Sequence, residues 1–238
     1  MFLLSLRKAP QDSGTLGKLL LLSLINVSTV LLLTIGLMED SSGIGAVLTY
    51  TQPLFVFCLA IPLLKETVTS TKLLGSIFGF VGIIVLFHGR LSSPTLNFAI
   101  VMILGAFLWA ITIVYCKKYL SQVDSLIANF FQISFGIIPL SILSMITKSF
   151  VFPRDVEYLW VILYASVGAL AIGSTVWLFL IKEEDATVVA GSSLVIPLVA
   201  LPIGSQLLGE PIQIQSMIGS ELTLARVCLV NRGTGRRS

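Results

Sequence analysis

Two acidic side chains, Glu66 and Glu210, stand at the same place in two copies of one spacing. Each copy reads P-x12-E-x8-G, from Pro53 through Glu66 to Gly75 and from Pro197 through Glu210 to Gly219. A carboxylate in apolar sequence can exchange protons or hold a charged substrate. It can also sit at a helix end, where an acid complements the positive end of the backbone dipole. Each Glu falls in a short connection just before another apolar run, and Pro211 suits the first turn of a helix. The structural helix-end role is therefore the preferred reading for both.

A second group consists of uncharged polar side chains within apolar runs: Asn26, Gln52, Asn129, Gln132, Ser174, Thr175 and Ser193, with the indoles of Trp109 and Trp177. A buried amide needs a hydrogen-bond partner. A neighbouring helix can supply it, and so can a polar solute. Asn26, Gln52, Trp109, Asn129, Gln132, Trp177 and Ser193 are the candidates for lining a substrate cavity. No Asp, Glu, Lys or His lies in the middle of an apolar run before residue 211, so these runs offer no proton relay.

Catalytic patterns are missing from the sequence. There is no HExxH, no P-loop and no G-x-S-x-G. The apolar runs hold neither paired aspartates, nor a Ser/His dyad, nor a metal-ligand cluster. The single histidine, His88, ends an apolar run, and Cys58, Cys116 and Cys228 lack the spacing of a disulfide framework or zinc site. The chain reads as a non-enzyme without cofactor or metal. No Lys/Arg-rich stretch is interleaved with aromatics, which argues against a nucleic-acid partner.

The elements that must position these residues are long and apolar. Of the 238 residues 55% are hydrophobic and 11% charged, against roughly 25% charged in soluble domains. A hydrocarbon core about 30 Å thick needs about 20 apolar residues of helix. Eight stretches qualify as candidates: Gly17–Met38, Gly43–Leu64, Leu73–Phe87, Thr95–Cys116, Ser125–Ile146, Tyr158–Ile181, Ala186–Leu208 and Pro211–Val230. They are too long for barrel strands and do not alternate in polarity, and helices are the other way to satisfy a backbone in lipid. The predicted fold class is all-α, a polytopic transmembrane helix bundle with the lipid bilayer as its surroundings. The third stretch is short, and the eighth contains Glu221 and Arg226.

Lys and Arg fall unevenly on alternate connections. One side receives Arg7, Lys8, Lys18, Lys65, Lys72, Lys117, Lys118, Lys182, Arg232, Arg236 and Arg237; the other receives Arg90, Lys148 and Arg154. The positive-inside rule makes the first side, with the C-terminus, cytoplasmic.

Sliding the chain by 144 residues brings Ala46 onto Ala190, Pro53 onto Pro197, Leu63-Leu64 onto Leu207-Leu208, Glu66 onto Glu210 and Gly75 onto Gly219. The offset pairs the first stretch with the sixth, the second with the seventh and the third with the eighth. Five helix steps separate each pair, so the second copy enters the membrane from the opposite side. Inverted repeats of this kind build secondary transporters, whose sites lie between the halves. Residues 1–88 are read as a partial first repeat, its last three helices. Residues 95–230 are read as a five-helix second repeat with an atypical last helix. Two helices of a ten-helix whole would precede residue 1.

The stretch SSGIGAVLTYTQPLFVFCLAIPLLKETVTSTKLLGSIFGFVGIIVL resembles the end of an EamA-type repeat of the drug/metabolite transporter superfamily, through Ala46, Pro53, Glu66, Gly75, Gly79 and Gly82. GAFLWAITIVYCKKYL, with Trp109-Ala110, resembles the opening helix of the second repeat, and Pro197 and Glu210 resemble late positions in it. The partners of Gly79 and Gly82 depart from the pattern, being Thr223 and Arg226. The resemblance implies a carrier of small-molecule substrates such as amino acids or their analogues, exporting them across the cell membrane. The alternative is a non-transporting membrane component or an inactive fragment of such a carrier.

Two further roles follow from residue type. Pro53 and Pro197, read as mid-helix, either kink their helices statically or form hinges beside a cavity. Gly75, Gly79 and Gly82 have small-xxx-small spacing. With Gly219 they are read as helix-packing positions within one bundle, the sharper alternative being a homodimer interface.

Overall fold

In the computed structural model, residues 12–39, 43–67, 69–87, 96–146 and 155–199 are described, with isolated positions at 202, 206, 218, 219 and 221. Helices account for nearly all of them, and no strand occurs among the described residues. The helices are α1 (Ser13–Glu39), α2 (Gly43–Thr49), α3 (Gln52–Leu64), α4 (Ser70–Phe87), α5 (Leu96–Leu120), α6 (Ser125–Ile146), α7 (Val156–Glu183) and α8 (Ala186–Val199). Five stretches are long and apolar enough to cross a membrane: Ser13–Met38, Gly45–Leu64, Leu96–Leu120, Ser125–Ile146 and Val156–Glu183. Ser70–Val85 and Ala186–Val199 are shorter apolar helices. The eighth expected stretch, Pro211–Val230, lies almost wholly outside the described residues.

Helix starts are set by polar caps. Asp12 accepts from the Gly14 N–H (3.2 Å) and the Thr15 N–H (3.2 Å), which begins α1 ahead of its apolar run. Those two backbone donors hold the Asp12 carboxyl below the usual carboxylate range. Asp124 does the same for α6, accepting from Leu126 N–H (2.9 Å) and Ile127 N–H (3.2 Å). Thr69 Oγ1 accepts from Lys72 N–H (3.3 Å), so α4 opens with the polar turn Ser70-Thr71-Lys72. This cap lengthens the third stretch at its start, to 18 residues.

Two long runs are not regular α-helix. Gly43–Leu64 is broken between α2 and α3 at Tyr50-Thr51. Within α7, Tyr164–Gly173 is π-helical, a wider winding frequent at functional sites.

The chain divides into two compact units, Met1–Ser28 with Tyr115–Glu184 and Thr29–Val114 with Asp185–Ser238. In the first, α1 and α6 approach closely where Gly136 meets Val27 and Ser23; a Cβ on Gly136 would lie 3.2 Å from Val27 Cγ2. Ser23 Oγ donates to the Gln132 carbonyl at 2.7 Å beside this contact. In the second, α1 and α5 meet at glycines, where a Cβ on Gly105 would lie 2.7 Å from Leu33 Cδ2. Small residues allow this approach in lipid, where helices gain little from apolar burial against one another.

Candidate functional site

In the second unit, the site is built around two interrupted helices. Pro53 has no N–H to offer the Thr49 carbonyl, and its ring crowds that group. α2 accordingly stops at Thr49, and Thr51 N–H donates only three residues back, to Leu48 O at 3.2 Å. α3 then starts at Gln52 with Pro53 in its first turn. Pro53 therefore stands just inside a helix start and not mid-helix, and the irregularity sits upstream of it. α8 repeats the pattern. It is α-helical through Ser192, tightens to a 3-10 turn over Ser193–Val195 and resumes before Pro197. The 144-residue offset lays Thr49–Thr51 on Ser193–Val195.

The two breaks share one apolar cluster. Val47, Ile83 and Leu194 are buried together, with Tyr50, Phe80 and Ile84 packed against them. The same 144-residue offset lays Tyr50 on Leu194. Next to the first break, Gln52 is fully buried, and neither its amide nitrogen nor its oxygen has a partner among the described residues. Ser76 Oγ is also buried and unpartnered. Ser193 is buried and donates to the Ala190 carbonyl of its own helix (2.6 Å). Trp109 is half-buried, and Pro53, Pro197, Gly75, Gly79, Gly82 and Gly219 are all buried.

Glu66 lies in the connection after α3 but serves a different helix. Its carboxylate accepts from Ala186 N–H (2.6 Å), Thr187 N–H (3.2 Å) and Thr187 Oγ1 (3.0 Å), at the start of α8. Lys72, buried at the start of α4, forms an ion pair with Asp185 alongside. The α3–α4 connection is thus tied by charge to the first turn of α8. Lys65 adopts a left-handed conformation (φ 56°) where the chain leaves α3. Glu210 lies outside the described residues.

In the first unit, Asn129 on α6 is buried, and its amide nitrogen donates to Leu170 O (2.8 Å), Ala171 O (3.3 Å) and Thr175 Oγ1 (2.9 Å). Leu170 and Ala171 belong to the π-helical stretch. Asn129 Oδ1 and Gln132 Oε1 are buried without a partner among the described residues. Asn26 and Trp177 are half-buried. Lysines close the ends of the helices: Lys117 donates to Ile181 O (3.2 Å) and to Glu184 O, and Lys182 donates to Val123 O (2.7 Å). Cations at carbonyl ends are favourable to the helix dipole.

A cavity of about 920 Å³ opens at this end of the unit, a size suited to a small-molecule ligand. Thr15, Asp124, Leu126, Thr175, Phe179 and Lys182 line it. None of the seven cavity candidates named from the sequence is on its wall. Thr175 is, and it joins the wall to Asn129 behind it. The structure divides the candidates between the units, with Asn26, Asn129, Gln132 and Trp177 in the first and Gln52, Trp109 and Ser193 in the second. Among the described residues no cluster of three or more His, Cys, Asp or Glu could hold a metal ion.

Comparison with known proteins gives a consistent set of matches. The EamA-like transporter family matches residues 1–88 and 97–232. An uncharacterized transporter of Bacillus subtilis (strain 168), YvbV, is 30% identical over 200 residues, 83% of this chain and 66% of that protein. An uncharacterized transporter of Archaeoglobus fulgidus is 27% identical over 224 residues, 91% of this chain and 78% of that protein. A protein solved by crystallography has the same fold, with a TM-score of 0.77 at 13% identity, over 100% of this chain and 94% of that one.

Proposed function

Because the chain belongs to the EamA-like transporter family, we propose that it is a secondary transporter moving small metabolites, such as amino acids or related compounds, outward across the cell membrane by alternating access. The observation that carries this reading is the pairing of the two helix breaks. Thr49–Thr51 and Ser193–Val195 are related by the 144-residue offset, and Tyr50 and Leu194 from them pack into one cluster with Ile83. Carriers of this build use discontinuous helices to expose backbone groups near the membrane midplane. The two separate family matches, 1–88 and 97–232, support a division into two repeats.

Flux tests the reading directly. The purified protein in liposomes, preloaded with an unlabelled amino acid mixture, is expected to take up labelled amino acids by counterflow, with saturation. Uptake equal to that of protein-free liposomes across the panel of amino acids and their analogues would refute it.

The proposed orientation places the C-terminus and the α5–α6 connection in the cytoplasm. A cytoplasm-active reporter fused after Lys118 is expected to be active, and its periplasm- or exterior-active counterpart silent. The opposite pattern would reverse the assignment. The lysine contacts support it, since Lys117 and Lys182 gather at one end of the first unit.

A further inference from the structure

We propose that Asn129 Oδ1 and Gln132 Oε1 form a binding site for a small singly charged cation, either free Na⁺ or the alkylammonium head of a transported solute. Three observations carry it. The first is that Asn129 has its orientation fixed. Its nitrogen faces two carbonyls and a hydroxyl, and that hydroxyl, Thr175 Oγ1, spends its own proton on Ala171 O at 2.6 Å. Turning the amide over would set its oxygen against three acceptors, so Oδ1 is the atom left without a partner.

The second is spacing. Asn129 and Gln132 are three residues apart on α6, a separation that places side chains on one helix face. Both are buried, at 3% and 9% exposure, and in both the unpartnered atom is an oxygen. A pair of acceptors calls for a ligand that donates protons or carries positive charge, and leaving them empty-handed in a low-dielectric interior is costly.

The third is position and charge, the two amides standing behind a cavity wall and not on it. Leu126, Ile127 and Thr175 line the 920 Å³ cavity, and Asn129 hydrogen-bonds Thr175 and follows Leu126 by one helical turn. Asp124 and Glu183 stand on the wall of that cavity beside Lys182, whose ammonium is engaged by Val123 O. α6 carries no charged residue, and neither does α7 between Tyr158 and Ile181. Neutral oxygens bind a cation without taking up a proton, so occupancy does not depend on a titrating carboxylate.

The proposal deepens the carrier reading by naming its coupling ion or the charged part of its cargo. It is tested by binding and not by flux. The intact chain in detergent micelles is unfolded by heat in choline chloride, then with rising NaCl or methylammonium chloride at constant ionic strength. Saturable stabilisation by Na⁺ alone assigns the site to the free ion; stabilisation by methylammonium, with or without Na⁺, assigns it to a solute head. Gln132→Leu keeps the volume and the Ser23 contact to the backbone, and should raise the half-saturating concentration about tenfold or more. Gln132→Glu adds a charge and should lower it by a similar factor. If Gln132→Leu folds poorly, Gln132→Glu together with ²³Na relaxation decides the question. No stabilisation by either cation, or stabilisation that both variants leave unchanged, overturns the proposal and leaves a water bridging the two oxygens. Cation binding without flux would count against the carrier reading alone; flux without cation binding would count against this site alone.

Discussion

Replacing Glu66 with alanine is expected to lower the melting temperature of the purified protein by about 3–12 °C. The estimate comes from hydrogen bonds to a charged group, roughly 1.5–3 kcal/mol of net stability, and about 2–4 °C per kcal/mol for a chain of this size. The variant leaves two backbone N–H groups and one hydroxyl at the start of α8 without their acceptor. It also removes the negative charge from the positive end of that helix. Glu66→Gln has one amide oxygen to offer, and it should fall between the native protein and the alanine variant. Thermal unfolding of the three proteins in one detergent measures this. Equal melting temperatures for Glu66→Ala and the native protein would show that water replaces the carboxylate at no cost.

A leucine at Gly105 is expected to damage the packing severely. A Cβ alone would approach Leu33 to 2.7 Å at Cδ2 and 2.9 Å at Cγ, so the rest of a leucine has no space without separating α1 from α5. Overpacking costs typically 1–3 kcal/mol and occasionally more; here the separation also removes close contacts that helices in lipid rely on. The expected outcome is strong loss of monodisperse protein in size-exclusion chromatography. Gly105→Ala should be tolerated only in part, because Leu33 Cδ2 is a side-chain tip that can move while Leu33 Cγ must shift with it. Gly36 meets Met102 more closely still, at Sδ and at Cγ (2.9 Å), and Met102 is fully buried, so Gly36→Ala should cost at least as much as Gly105→Ala even though methionine bends readily. A Gly105→Leu protein with native yield and elution would refute the close-approach argument.

The membrane class and the run of helices are legible in the sequence because apolar length is a strong signal. Segment Ser125–Ile146 has the same bounds in the structure, since Ser121, Gln122 and Asp124 interrupt the hydropathy where Asp124 caps the helix. α1 and α4 begin earlier than their apolar runs, because capped first turns are polar and a hydropathy reading stops short of them. Pro53 and Pro197 mark an irregularity, but the backbone relieves it upstream, at the carbonyl each proline cannot serve. The π-helical stretch of α7 was not legible. A change of winding alters which residues share a face, and a helix apolar on every side, exposed from Val156 through Ala171 except at half-buried Gly168, records no such change.

For the site, residue type revealed the buried amides but not their orientations. Asn129 is tied by its nitrogen to residues 41, 42 and 46 positions away, contacts that no local pattern encodes. Glu66 reads in the sequence as an acid for the helix that follows its own connection. The helix it serves starts 120 residues later and not in its own connection. Gly105 and Gly36 are not among the packing positions read from the sequence, since neither belongs to a small-xxx-small run as clear as Gly75, Gly79 and Gly82.

The helices also differ in length, and a bilayer senses length. α1 has 27 residues and α5 has 25, about 40 Å and 38 Å at 1.5 Å per residue. α4, with 18 residues, reaches about 27 Å. A hydrocarbon slab of about 30 Å fits the short helix upright, while the long ones must lean or protrude. Thickening the slab with longer acyl chains relieves the long helices and strains the short one, and thinning it does the reverse. Lipid chain length is therefore expected to act on this protein through no binding site at all.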